Sequence, residues 1–62
     1  PLTKQELVIL RRLDTELPIS QIAKALSISK NTIKTHLKSI YRKLAAESRH
    51  DAVIKARELM LL

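Results

Sequence analysis

The chain has no cysteine and no glycine, and Tyr41 is its only aromatic residue. Without cysteine there is no disulfide to support a chain of 62 residues, which is near the lower limit for a self-supporting core. The lack of glycine, with only two prolines, leaves few breakers for tight hairpins. We therefore expect one small helical domain with an aliphatic core. We do not expect an enzyme, because a helical chain of this length has no cleft in which catalytic groups could assemble.

Acidic residues are also missing from the thirty residues of Leu17–Ala46, although this basic segment carries half of the chain's positive charge. Its six cationic residues are Lys24, Lys30, Lys34, Lys38, Arg42 and Lys43. With a formal net charge of +6, such a segment attracts a polyanion, either nucleic acid or an anionic membrane surface. No apolar run approaches the ~18–20 residues that span a bilayer.

Capping signals and periodicity predict four helices. The first begins at the capping box Thr3–Glu6, with Leu2 and Leu7 as its hydrophobic staple. The second runs from about Ile19 to Leu26, with Pro18 in its first turn. The residues expected to face inward on these two helices are Glu6, Ile9, Leu10, Leu13, Ile22, Ala23 and Leu26.

The third helix is predicted over Lys30–Leu44 after the N-cap Ser29, and its apolar and polar residues fall on opposite sides. Its inner face has Ile33, Leu37, Ile40 and Leu44. A fourth helix should run from about Arg49 towards the C-terminus, after a capping box at Ser48–Asp51. We expect its inner face to consist of Ala52, Val53, Ala56, Leu59 and Met60.

The polar face of the third helix carries side chains suited to reading bases. Asn pairs with adenine, Lys donates to guanine, and the Thr methyl meets the thymine methyl. The alternative is an ordinary solvated face, but such a face would usually pair Lys with Glu at i,i+4, and no acid is present. The predicted base contacts are Asn31, Lys34, Thr35 and Lys38. The predicted phosphate contacts, for which plain surface solubility is the alternative, are Ser20, Gln21, Lys30, Thr32, Arg42 and Lys43.

The block Asn31–His36, followed by Tyr41–Leu44 and Ser48-Arg49, resembles the LuxR-type (NarL/FixJ-like) helix-turn-helix domain. The resemblance covers essentially the whole of residues 1–62. The sequence departs from the family pattern at Ala45, which stands where members of the family usually have glycine. It implies a cytoplasmic output domain of a bacterial response regulator or a large ATP-binding activator. Such a domain binds double-stranded DNA with its third helix in the major groove and regulates transcription without a cofactor. Because the chain opens on Pro1, we expect a C-terminal fragment of a longer regulator.

Three further expectations concern pairs of residues. Glu6 and Arg49 both sit on apolar faces and need partners, and the resemblance implies that they pair with each other. Ile54 and Leu61 lie opposite the predicted inner face of the fourth helix. They are either scattered apolar exposure or, as the resemblance suggests, the seam of a homodimer on DNA. His36 and His50 stand too far apart for a metal site, so no metal is expected.

Two rival functions differ in class from DNA reading. One is a protein-interaction module that acts with RNA polymerase, as region four of sigma factors does. The other is a membrane-surface helix, which is disfavoured because the basic face lacks large apolar anchors. Equal affinity for any duplex would favour the first rival.

Overall fold

Four helices and no strand form the domain in a computed structural model that describes residues 1–62. They are α1 (Lys4–Leu13), α2 (Ile19–Ala25), α3 (Lys30–Leu44) and α4 (Arg49–Glu58). The predicted all-α class is confirmed, and α3 has the predicted bounds. At the end of α2, Leu26 serves as the C-cap rather than as a helical residue.

Side-chain oxygens cap three of the four helix N-termini. The Thr3 hydroxyl accepts from the Glu6 N–H at 3.1 Å, and the Glu6 carboxylate accepts from the Thr3 N–H at 2.8 Å, which completes the predicted box. Ser29 and Ser48 cap α3 and α4 in the same manner. The second predicted box is only half formed, because the shorter Asp51 side chain accepts from the Glu47 N–H at 3.0 Å, one residue before the N-cap.

The lack of glycine shows at the helix C-termini. Ser27, Ala45 and Met60 adopt left-handed conformations with φ of 57°, 54° and 60°, where glycine would be unstrained. At the end of α3, the Ala46 N–H donates to the Tyr41 carbonyl at 2.8 Å, which is the Schellman pattern. Each left-handed residue with a Cβ costs about 1–2 kcal/mol, so the chain ends three helices at some cost in stability.

The core lies among all four helices, and both α1 and α3 contact each of the other three. Its twelve buried apolar side chains are all aliphatic. Most of the predicted inner face of every helix is buried, and Leu26 is half-buried against the core. Packing on one side thus fixes the orientation of α3 and leaves its polar side exposed.

The predicted inner face of α4 is wrong at its C-terminal end. Ala52, Val53 and Ala56 are buried, but Leu59 is 61% exposed and Met60 is 90% exposed. The helix ends at Glu58, and the left-handed Met60 turns the chain so that Leu61 packs against the core. The prediction that Leu61 lies on an outer apolar stripe is therefore wrong as well.

Candidate nucleic-acid interface

Helices α2 and α3 form a helix-turn-helix whose tight turn spans residues 26–29. The N–H of the left-handed Ser27 donates to the Lys24 carbonyl at 3.1 Å, and the Ile28 N–H donates to the Ala23 carbonyl at 3.0 Å. Ile22 on α2 and Ile33 on α3 are both fully buried. This packing presents the opposite side of α3 to solvent.

The four predicted base-contact residues, Asn31, Lys34, Thr35 and Lys38, are all exposed on that side. We call them the reading face. Neither lysine takes part in an ion pair, since the three ion pairs of the domain involve other residues. The only side-chain hydrogen bond on the face runs from the Thr35 hydroxyl to the Asn31 carbonyl at 3.0 Å. The amide and both ammonium groups are therefore free to bind another molecule.

All six predicted phosphate contacts are exposed. Five of them make no bond to a carboxylate. They are Ser20, Gln21, Lys30, Thr32 and Arg42. Ser20 and Gln21 lie in the first turn of α2, and the other three lie on α3. Lys30 and Arg42 have no acidic partner, so a cation stands near each end of α3.

Lys43 has a different partner from the predicted one. Its Nζ lies 2.8 Å from Oε1 of Glu6, and its side chain is only 29% exposed. The Glu6 carboxylate neutralises this charge and takes one of the three N–H donors, so Lys43 should attract a phosphate less strongly than an unpaired lysine. Lys43 is therefore paired with a carboxylate and its neighbour Arg42 is not, although both belong to the same basic segment.

The predicted ion pair between Glu6 and Arg49 is wrong. The Glu6 carboxylate, 4% exposed, accepts hydrogen bonds from Lys43 Nζ, from the Ser39 hydroxyl at 2.6 Å and from the Thr3 N–H. These bonds, that of Lys43 above all, lower the pKa of Glu6 from 4.5 to about 2. Glu6 therefore links α1 to α3. Ser39 and Lys43, four residues apart on one stripe of α3, were the sequence signal for this contact.

Arg49 pairs with backbone oxygens instead of a carboxylate. Its Nε donates to the Leu13 carbonyl at 3.2 Å, and its terminal nitrogen donates to the Thr15 carbonyl at 2.8 Å. The carbonyls at the end of a helix have no partner within the helix, so a nearby guanidinium satisfies them. Arg49 thus caps α1 from α4, and nothing in the side-chain pattern indicates such acceptors.

Of the two predicted seam residues, only Ile54 is exposed on α4, with 41% of its surface accessible. It borders a cavity of about 390 Å³ between the end of α1 and α4. Arg57 lines the same cavity and binds Asp14 at 2.6 Å. Leu61 lies elsewhere, against the core. A seam on this face would therefore depend on Ile54 alone.

Other kinds of site find little support in the structure. No three His, Cys, Asp or Glu side chains lie close enough together to hold a metal ion. No helix has both the length and the apolar character needed to cross a membrane.

A three-dimensional arrangement of this kind defines a helix-turn-helix domain. Residues 1–56 match the family described as GerE, the bacterial regulatory proteins of the luxR family. The chain belongs to this family, as predicted, and is thus a DNA-binding domain of transcription regulation. It is 36% identical over 62 residues to the HTH-type transcriptional regulator MalT of Vibrio campbellii (strain ATCC BAA-1116). That alignment covers all of this chain but only 7% of the relative. No solved structure matches the chain significantly.

Proposed function

We propose that this domain binds a specific double-stranded DNA sequence by inserting α3 into the major groove. The observation that carries the proposal is the row of four exposed, unpaired cations on α3, which contrasts with α4, where each of the three cations binds an oxygen atom of the domain. In this proposal the domain is the output part of a longer bacterial regulator and acts on promoters in the cytoplasm. Regulation would come from the remainder of that protein.

The reading face supplies the base contacts. Lys34 and Lys38 donate to guanine O6 and N7, and Asn31 pairs with adenine. The exposed residues around this face bind phosphates and set the register, without reading sequence. Lys43 is left out of this set because Glu6 holds its ammonium group.

Two copies would bind together on DNA through α4. A half-exposed Ile54 offers far less area than a stable interface buries, so the free domain should be a monomer. Held on adjacent half-sites about one helical turn apart, two copies have a high effective concentration, and a small seam then suffices.

The seam is tested by titrating an inverted repeat with the wild type and with Ile54→Asp. We expect the variant to lose cooperativity and to keep its affinity for a single half-site. Equal cooperativity in the two proteins would show that α4 is not the seam.

Selection of bound sequences from a random duplex library tests the main proposal. We expect a preferred sequence whose half-sites are spaced by about one helical turn. Near-equal affinity for every duplex would contradict the proposal. If the domain also formed a stable complex with RNA polymerase, that result would support a protein-interaction module instead.

A further inference from the structure

One hydrogen bond decides which part of Thr35 is available to a base. Its hydroxyl donates to the Asn31 carbonyl at 3.0 Å, four residues earlier on α3. A hydroxyl has a single hydrogen, so Thr35 has none left for the acceptor atoms of a base. Donation to guanine or to adenine N7 would require that bond to break.

The surroundings of Thr35 include apolar surface as well as charge. A shallow groove of about 360 Å³ is lined by Lys34, Thr35, Leu37, Lys38 and Tyr41. Leu37 is almost completely buried and Tyr41 is half-buried, and both add carbon surface to this groove beside the two lysines. The apolar feature that base pairs present in the major groove is the C5-methyl group of thymine.

We propose that Thr35 is a specificity-determining residue that recognises thymine through its methyl group and not through its hydroxyl. This inference rests on the proposed function, because it requires α3 to enter the major groove. The hydroxyl bond to Asn31 keeps the polar half of the side chain on the helix. The methyl group is then the part that contacts the base.

A competing arrangement uses the remaining lone pairs of the hydroxyl oxygen. That oxygen can still accept a hydrogen bond from the amino group of adenine or cytosine. The two arrangements differ in which half of Thr35 is needed. Thr35→Val keeps the methyl group and removes the hydroxyl, whereas Thr35→Ser does the reverse.

The experiment replaces each thymine of the selected duplex by deoxyuridine, one position at a time, which removes only the C5-methyl group. For the wild type and for Thr35→Val, one position should show a loss of affinity of about threefold to tenfold, the range expected for a buried methyl group. Thr35→Ser should bind the thymine and uracil duplexes equally well.

Thr15→Ser is the matched control. The Thr15 hydroxyl also donates to a backbone carbonyl, that of Arg12 at 2.6 Å, but it lies after α1, away from the reading face. This variant should keep the full uracil penalty. Because Thr35 is exposed, thermal denaturation should show that all the variants fold.

The possible failures are distinguishable. If selection yields no preferred duplex, the proposed function and this inference both fall. If a preferred duplex exists but no thymine is sensitive to uracil, or Thr35→Ser keeps the penalty, only this inference falls. Loss of specificity in Thr35→Val with its retention in Thr35→Ser would assign recognition to the hydroxyl.

Discussion

Helices α3 and α4 are both basic, yet their cations are in opposite states. Each of the three cations of α4 binds an oxygen atom inside the domain. Arg49 binds two carbonyls, Lys55 lies 3.2 Å from the Asp51 carboxylate, and Arg57 lies 2.6 Å from that of Asp14. On α3, only Lys43 has such a partner.

The difference shows that the number of basic residues on a helix does not measure its attraction for DNA. Charge that is neutralised within the domain joins helices together, as Arg57 of α4 binds Asp14 at the end of α1. Charge that is left unpaired keeps its field at the surface and attracts a polyanion. The free cations of α3 are Lys30, Lys34, Lys38 and Arg42.

Removal of a free lysine should have the largest effect on binding. Lys34→Ala should weaken binding to the preferred duplex by ~1–3 kcal/mol and reduce discrimination at one or two base pairs. Lys55→Ala is the control on α4, and it should leave the affinity unchanged because its ammonium group is already bound to Asp51. The measurement is a binding titration against the preferred duplex and its single-base variants. Uniform weakening across all duplexes by Lys34→Ala would place this lysine on the phosphates.

Loss of a paired lysine should instead reduce stability. Lys43→Met removes the ammonium group from the buried carboxylate of Glu6, and we expect a loss of about 1–3 kcal/mol in the free energy of unfolding. Double-mutant cycles of denaturant unfolding should show coupling between Glu6→Gln and Lys43→Met. Glu6→Gln and Arg49→Met should be additive, because these two residues have separate partners. Coupling between Glu6 and Arg49 would instead support the ion pair between them that the sequence predicted, and would contradict the partners seen in the structure.

The same carboxylate predicts a dependence of stability on pH. The pKa of Glu6 is lowered from 4.5 to about 2 on folding, mainly by Lys43. Its stabilising contribution is therefore complete above pH ~4.5 and is lost as the pH falls towards 2. In unfolding curves over this range, Glu6→Gln should lose less stability than the wild type. Parallel curves for the two proteins would mean that folding does not lower the pKa of Glu6.

Residue patterns predicted the elements of the fold better than its polar contacts. The N-cap Ser29 and the apolar spacing of α3 predicted the bounds of that helix, because both signals are local. The predicted partner of Glu6 was wrong. A charge on an apolar face needs a partner, but the sequence pattern does not show which residue that partner is. Arg49 uses carbonyls that no side chain encodes. The end of α4 was missed because Met60, and not glycine, adopts the left-handed conformation there.

The neighbours Arg42, which is unpaired, and Lys43, which is paired with Glu6, allow a finer test of whether only unpaired cations contribute to DNA binding. If two copies contact roughly six to eight phosphates, the slope of log K against log salt should be about −5 to −7. Arg42→Ala should reduce its magnitude by about 0.9 for each phosphate that the variant no longer neutralises. Lys43→Met should leave it unchanged, since Glu6 already binds that ammonium group. A smaller slope for Lys43→Met would show that DNA displaces Glu6 from Lys43.

The smallest expected effect concerns the junction between the two helices, where Ala45 has a φ of 54°. Ala45→Gly should raise the free energy of unfolding by about 0.5–1 kcal/mol, because glycine avoids the Cβ clash of the left-handed conformation. The adjacent Ala46 is half-buried and lacks a positive φ, so Ala46→Gly should destabilise by a similar amount through weaker packing and greater freedom of the unfolded chain. Denaturant midpoints of the two variants should therefore move in opposite directions. A destabilised Ala45→Gly would mean that α3 does not end at Ala45 in a left-handed turn.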